Sequence, residues 1–456
     1  MGDNIINGVH GCSQVSSYVQ PVDPLVIEKL EAFQDKKLGF MMHWAPVTQL
    51  GIVESWALSD EDSEWSQREI DWTDDMDGFR QQYRDLYKTF NPIRYQPKDW
   101  AKIAKECGFK YVLFTTKHHD GFCMWDTNTT DYKITSEACP FYQHPYSDIV
   151  KHLYDAFREQ EISIHTYFSK PDWDCPYYWS KDFTFKDHKT HRNTNYKIEE
   201  HPDIWEQFVQ FTHAQITELM TNYGEIDCLW LDGGQVNPSN QGQDIRIGEL
   251  VDKIRGTTQP GLICADRTVG GPYENFITPE QSIPKEAILV PWESCITLGK
   301  SFSYHYDDTY KTPQEIIHLL IDIVAKGGNL ALNIAPQPDG RLPVKGIEVL
   351  HELGAFLKIY GDGIYGTRPC EPYRVGQYAF TKKENKLYVF YLYEEGEERK
   401  QIYSIPIKAA IKTITKVGSN KSLRYDQRDY DTIVQCDKTD EVRISYIEGF
   451  CIQMEK

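Results

Sequence analysis

The chain has 456 residues, a formal net charge of −19, and hydrophobic and aromatic contents of 40% and 13%. That length exceeds one average domain, so a large domain plus a smaller module is expected. The acidic balance excludes nucleic acid and anionic membranes as partners, since both need a basic footprint, and no run approaches the ~18 apolar residues of a membrane span.

The amino terminus, Met1-Gly2-Asp3-Asn4-Ile5-Ile6, lacks a basic stretch followed by an apolar run, so no secretory signal is read there. Eleven cysteines are scattered without a CxxC pair, which suits reduced thiols. Both features lead to the expectation of a cytoplasmic protein. Residues 1–30 read as an extended arm. From 31 to 365, short apolar runs alternate with helical spacing, the pattern of a parallel β/α architecture. The strands are expected at 38–43, 111–116, 162–168, 228–232, 262–265, 288–291 and 330–334. An eighth cannot be placed. No GxGxxG follows the first strand, so a (β/α)8-type barrel, with possible irregularity, is preferred over a dinucleotide-binding sheet. After Gly366-Thr367-Arg368-Pro369 the helical spacing gives way to alternating runs such as Lys386-Leu387-Tyr388-Val389-Phe390-Tyr391-Leu392. Residues 366–456 therefore read as an antiparallel β-sandwich.

The chemistry collects where apolar runs end. Leu229-Trp230-Leu231-Asp232-Gly233-Gly234 reads as a buried strand ending on a carboxylate, followed by glycines that allow a sharp turn. Barrel enzymes put their chemistry at such carboxyl ends. Ile288-Leu289-Val290, then Pro291-Trp292-Glu293, repeats the design. Two carboxylates on one face are the minimum equipment for cleaving a glycosidic bond. Lys117-His118-His119-Asp120 and His43-Trp44 follow strands in the same way. Neighbouring residues on extended backbone point to opposite sides, which argues against His118 and His119 sharing a metal. Neutral imidazoles that donate and accept hydrogen bonds to sugar hydroxyls are the preferred reading, with no cofactor. Arg267, after the fifth run, can pair with a carboxylate and hold it ionised.

Several segments together resemble glycoside hydrolase family 29, the α-L-fucosidases. They are Gly39-Phe40-Met41-Met42-His43-Trp44, Thr116-Lys117-His118-His119-Asp120-Gly121-Phe122, Trp230-Leu231-Asp232-Gly233, Thr278-Pro279-Glu280-Gln281, Trp292-Glu293-Ser294-Cys295, the stretch 328–336, and Ile364-Tyr365-Gly366-Thr367-Arg368-Pro369. The resemblance covers about residues 36 to 370. It implies a retaining, exo-acting barrel enzyme with a β-sandwich, acting on a fucosylated oligosaccharide or glycoconjugate. By the same resemblance Asp232 is the nucleophile, and His43, His118, His119, Tyr167, Trp230 and Arg267 bind the sugar. Glu54 and Trp56 join them, with Glu64-Trp65 as a rival pair. Glu293 resembles the acid/base of some members; Glu274 is its first rival, and Glu280 and Glu286 stay open. Other sugars, α-L-galactosides above all, remain alternatives, as do a metal-dependent hydrolase and a sugar-binding protein without activity.

Overall fold

In the computed structural model, which describes residues 11–67, 75–437 and 444–455, seven strands run parallel. They are β1 (Leu38–Met42), β2 (Tyr111–Lys117), β3 (Ser163–Ser169), β4 (Cys228–Asp232), β5 (Ile263–Asp266), β6 (Glu293–Thr297) and β7 (Asn329–Asn333). Their order across the sheet is β5-β4-β3-β2-β1-β7-β6. Helices such as Ile149–Glu159, Pro202–Asn222 and Pro313–Ala325 connect successive strands and cover the outer face. Strands covered on both faces read as continuous apolar runs, which is why they stand out in the sequence.

The two faces are nevertheless distinct. Phe40, Met42, Val112, Phe114, Leu229 and Leu231 pack outward against the helices. Met41, Tyr111, Leu113, Tyr167, Cys228 and Trp230 point inward and fill the barrel. Inward packing puts Gly39 beneath the Tyr111 ring, where an added Cβ would lie 2.1 Å from Cε2. Only glycine lets that ring cross the barrel floor.

Two expectations change, and the irregularity allowed for in the barrel takes a definite form. Residues 1–30 are not all an extended arm: Pro24–Lys36 is a helix, capped by Asp23, whose side chain accepts from the Leu25 N–H. Its Phe33 packs on Tyr111, His165 and Phe276 at ring-centroid distances of 5.6, 5.5 and 4.5 Å, so it plugs the barrel from below. Next, the run 288–291 is not a strand; Leu289 is 80% exposed, and the strand begins at Glu293. Finally, β5 and β6 do not pair with each other. The gap is bridged by an irregular segment in which Glu274 meets Ala265, Ile277 meets Trp292 and Glu280 meets Cys295. Single bridges leave no periodic pattern, so this closing segment could not be read as an eighth strand.

From Arg368 onward the strands are antiparallel. One sheet holds five, from Arg368–Val375 to Ile447–Met454, and a second holds Ile402–Ile405, Arg424–Gln427 and Thr432–Gln435. Their facing sides share Phe380, Val389, Tyr403, Ile405, Val434 and Phe450, a sandwich core. All eleven cysteines are free. Among the described residues no helix is long and apolar enough to cross a membrane.

Candidate active site

At the carboxyl ends of the strands lies a cavity of about 300 Å³, roughly the low end for a ligand pocket. Period-two alternation delivers Trp230 and then Asp232 from β4 to the same interior face, and likewise Met41 and then His43 from β1. Gly233, with φ of 85°, turns the chain away immediately after the carboxylate. His118 and His119 both reach the cavity, with ring centroids 4.2 Å apart. The expectation of opposite directions fails because β2 ends at Lys117, so the alternation of extended backbone no longer governs them.

Asp232 is surrounded by donors. Arg267 Nη1 donates to Oδ1 at 2.9 Å and the Tyr167 hydroxyl donates to Oδ2 at 2.6 Å. Burial works against its charge, but the Arg267 cation and the Tyr167 hydrogen bond outweigh that cost and hold the carboxyl far below its usual range. Trp230 is the platform under this arrangement. Tyr167 stacks on it at 5.3 Å, and the Arg267 guanidinium lies over its ring at 5.2 Å.

The three histidines are neutral, since burial lowers His43 and His119 to about 4 and holds His118 well below its usual value. Their tautomers follow from their neighbours. Asn333 donates its amide to the Phe302 carbonyl, so its oxygen faces His43 Nδ1 at 2.9 Å and that nitrogen must carry the proton. The Ser169 hydroxyl donates to the Pro171 carbonyl, so it accepts from His119 Nδ1 at 2.5 Å. His43 and His119 therefore each keep Nε2 as an acceptor. His119 Nε2 is buried without a partner, 3.9 Å from Asp232 Oδ2. A ligand hydroxyl placed here would donate its proton to His119 Nε2 and satisfy that acceptor. His118 is braced by Ser55 Oγ at 2.6 Å.

The glutamates separate clearly. Glu280, on the closing segment, lines the cavity and pairs with Arg267 Nη2. One guanidinium thus spans Asp232 and Glu280. Glu54 also lines the cavity; burial first, then the nearby charge of Glu280, raises its pKa to about 8, so it is neutral at rest. Glu293 does not line the cavity. It opens β6 instead of closing it, and accepts from Tyr111 and from Trp230 Nε1 at the edge of the platform. An acid/base there could not reach a ligand, which corrects the expectation. Glu274 is no substitute, because it accepts from the Ser13 hydroxyl and the Thr268 and Gly270 N–H groups and fastens the 11–18 stretch to the closing segment.

His118, His119 and Asp232 present ligand atoms within 4.8 Å of one another, the described cluster best placed to hold a metal. Both Asp232 oxygens already accept hydrogen bonds, and the Arg267 cation adjoins them. That environment suits hydroxyl binding better than a second cation.

Trp56 lines the cavity. Sequence reasoning missed Arg192 and Phe302, which also line it. Both sit on segments without helix or strand periodicity, so no spacing marked them.

Residues 9–362 match the family model described as Alpha-L-fucosidase. Plasma alpha-L-fucosidase of Rattus norvegicus is 26% identical over 396 residues, covering 82% of this chain and 77% of that protein. Alpha-L-fucosidase of Dictyostelium discoideum is 26% identical, covering 71% and 68%. Among solved structures, alpha-L-fucosidase isoenzyme 1 from Paenibacillus thiaminolyticus superimposes with a TM-score of 0.78 at 27% identity, covering 95% of this chain and 100% of that one. A Bacteroides thetaiotaomicron alpha-L-fucosidase trapped as a covalent intermediate shares the fold, with a TM-score of 0.75 at 22% identity over 98% and 99% of the two chains.

Proposed function

Because the chain belongs to the α-L-fucosidase family, a family of glycoside hydrolases, we infer that it removes terminal α-L-fucosyl residues with retention, using Asp232 as nucleophile and Glu280 as acid/base. The observation that carries this reading is the arginine shared by the two carboxylates. Arg267 donates to Asp232 and to Glu280 at once. Retention needs two carboxyl groups close together, ~5–5.5 Å, with no room for a water between nucleophile and sugar, and the shared guanidinium is what brings these two side by side in the cavity.

Asp232, kept ionised, attacks the anomeric carbon as the bond to the departing oxygen breaks, giving a glycosyl ester. The protonated form of Glu280 gives its proton to that oxygen, becoming the carboxylate that pairs with Arg267, and then takes a proton from the water that attacks the anomeric carbon and displaces Asp232. The sugar returns with its original configuration and Asp232 is freed. Neutral His43 and His119 accept from ring hydroxyls, while Glu54 donates. The cavity, about 300 Å³, has room for one sugar ring, which supports exo action on a fucosylated oligosaccharide or glycoconjugate. A second reading gives the acid role to Glu54, favoured by its raised pKa of about 8.

Asp232→Ala tests the nucleophile. Turnover of an aryl α-L-fucoside should fall by orders of magnitude, and azide should restore part of it as β-fucosyl azide. A variant keeping more than about a tenth of the wild-type rate would remove Asp232 from the role.

A further inference from the structure

A cavity that holds one sugar ring must pass the leaving group out through its mouth. Two segments build that mouth, residues 54–67 after β1 and residues 170–201 after β3. The second runs about 30 residues without a helix or strand, a length that in compact domains usually serves a function.

The two segments are tied together by charge. The Asp60 side chain accepts from the Thr190 N–H at 2.6 Å and from Arg80 Nη2 at 2.5 Å. Glu61 meets His191 Nδ1 at 2.6 Å. Asp62 is only 1% exposed, yet its carboxylate serves two side chains of the rim. It accepts from Arg192 Nε at 3.0 Å and Nη2 at 2.5 Å, and from the Trp65 indole N–H at 3.0 Å. Beneath, Trp173 Nε1 and the Tyr178 hydroxyl donate to the Arg192 carbonyl at 3.4 and 2.9 Å.

These anchors hold exposed groups in fixed positions. Trp65 is 41% exposed, a large apolar surface for a residue whose rotation is locked by a buried carboxylate. Its ring lies 6.3 Å from that of Trp56, a cavity-lining residue, and the Arg192 guanidinium covers Trp56 at 4.7 Å. Ordering such side chains in the free protein costs entropy, and doing so before binding lowers the cost of capturing a ligand.

We propose that Trp65 and Arg192, set in place by Asp62 and backed by Trp56, bind the first sugar of the leaving group, a neutral pyranose attached directly to the fucose. This rests on the fucosidase reading above and extends it to the aglycone. A pyranose offers a C–H face to an indole and hydroxyls to a guanidinium, and the rim supplies both together. Asp62 and Glu61 balance the Arg192 charge, so Arg192 offers hydrogen-bond donors to hydroxyls and no surplus charge to select a sulfated or phosphorylated group.

The test compares α-L-fucosyl fluoride, which has no leaving-group sugar, with four disaccharides: fucose linked α1→2 to galactose, and α1→3, α1→4 and α1→6 to N-acetylglucosamine. Wild-type enzyme should cleave the fluoride and at least one disaccharide. Trp65→Ala should lower kcat/KM for that disaccharide at least tenfold relative to the fluoride, mainly through KM, and Trp65→Phe should recover most of the loss. Arg192→Lys, which keeps the charge opposite Asp62, should lower the same ratio. Parallel losses on both substrates, or a ratio changed less than threefold in both Trp65→Ala and Arg192→Lys, would overturn the proposal, as would cleavage of the fluoride and none of the disaccharides. Failure of the wild type on the fluoride would instead overturn the fucosidase reading.

Discussion

Trp230 donates its indole N–H to Oε1 of Glu293 at 3.1 Å, and so a fully buried carboxyl stands at the edge of the Trp230 ring. Tyr111, reaching across from β2, donates to the other oxygen. Above the platform, Tyr167 and Arg267 rest on the Trp230 ring and donate to Asp232. Glu293 therefore reaches Asp232 only through Trp230, as a positioning residue.

That burial has a pH signature. It raises Glu293 from 4.5 to about 7, against the opposing hydrogen bonds from Tyr111 and Trp230. The folded protein then holds this proton more tightly than the unfolded chain. Its contribution is fully present below pH 4.5 and is lost as pH rises to about 7, a change on the order of 3 kcal/mol. Glu54, raised to about 8, adds a decline of the same sign. Glu293→Gln should remove the Glu293 share, so the stability difference between wild type and variant, from denaturant titrations at several pH values, should change between pH 4.5 and 7. Parallel curves would show that Glu293 is not buried as a neutral acid.

Glu280 and Glu54 are separable by leaving group. Loss of a general acid slows substrates with poor leaving groups by ~10²–10⁴-fold and spares activated aryl fucosides. Glu280→Ala should show that split, while Glu54→Ala should slow both classes alike. The reverse pattern moves the acid role to Glu54. As Glu54 loses its proton near pH 8, it ceases to donate and adds charge beside Asp232, so kcat/KM should fall there. Glu54→Gln, which keeps a donor, should flatten that alkaline limb.

The sequence was readable where one rule governed several residues. Apolar runs located six of the seven barrel strands, and alternation along β4 put Trp230 and Asp232 on one face. It misled where local pattern and tertiary pairing diverged. Ile288-Leu289-Val290 has the composition of a strand, yet it lies outside the sheet and its Leu289 is exposed. Reading it as a strand turned Glu293 from the amino end of β6 to the carboxyl end and into the site. Glu280 sits where isolated bridges replace a ladder, and Arg192 owes its place to Asp62, 130 residues away. Neither relationship leaves a local periodicity.

Chelation should leave activity intact. His43 and His119 each use Nδ1 as a donor to a protein oxygen and keep Nε2 for the ligand, while Arg267 and Tyr167 occupy both oxygens of Asp232. Dialysis against EDTA followed by assay on an aryl fucoside checks this. Activity lost there and regained with zinc or another divalent ion would assign His118, His119 and Asp232 to a metal instead.

L-Fucose is 6-deoxy-L-galactose, so the two sugars offer the same ring hydroxyls and differ only at C6. The cavity wall has apolar surface from Met41, Trp56, Trp230 and Phe302 available to a methyl group, whereas Phe40 faces the outer helices. An apolar pocket rejects an added hydroxyl only weakly, by ~10²-fold or about 1–3 kcal/mol. Aryl α-L-fucoside should therefore be preferred, with measurable turnover of aryl α-L-galactoside. Phe302 also fixes His43 indirectly, since its carbonyl holds the Asn333 amide. Phe302→Ala keeps that carbonyl and removes only the ring, so it should narrow the preference if the ring meets the methyl. The ratio of kcat/KM for the two glycosides decides the point. A wild-type preference for the galactoside would mean a polar C6 pocket and would change the sugar assigned, while the roles of Asp232 and Glu280 would stand.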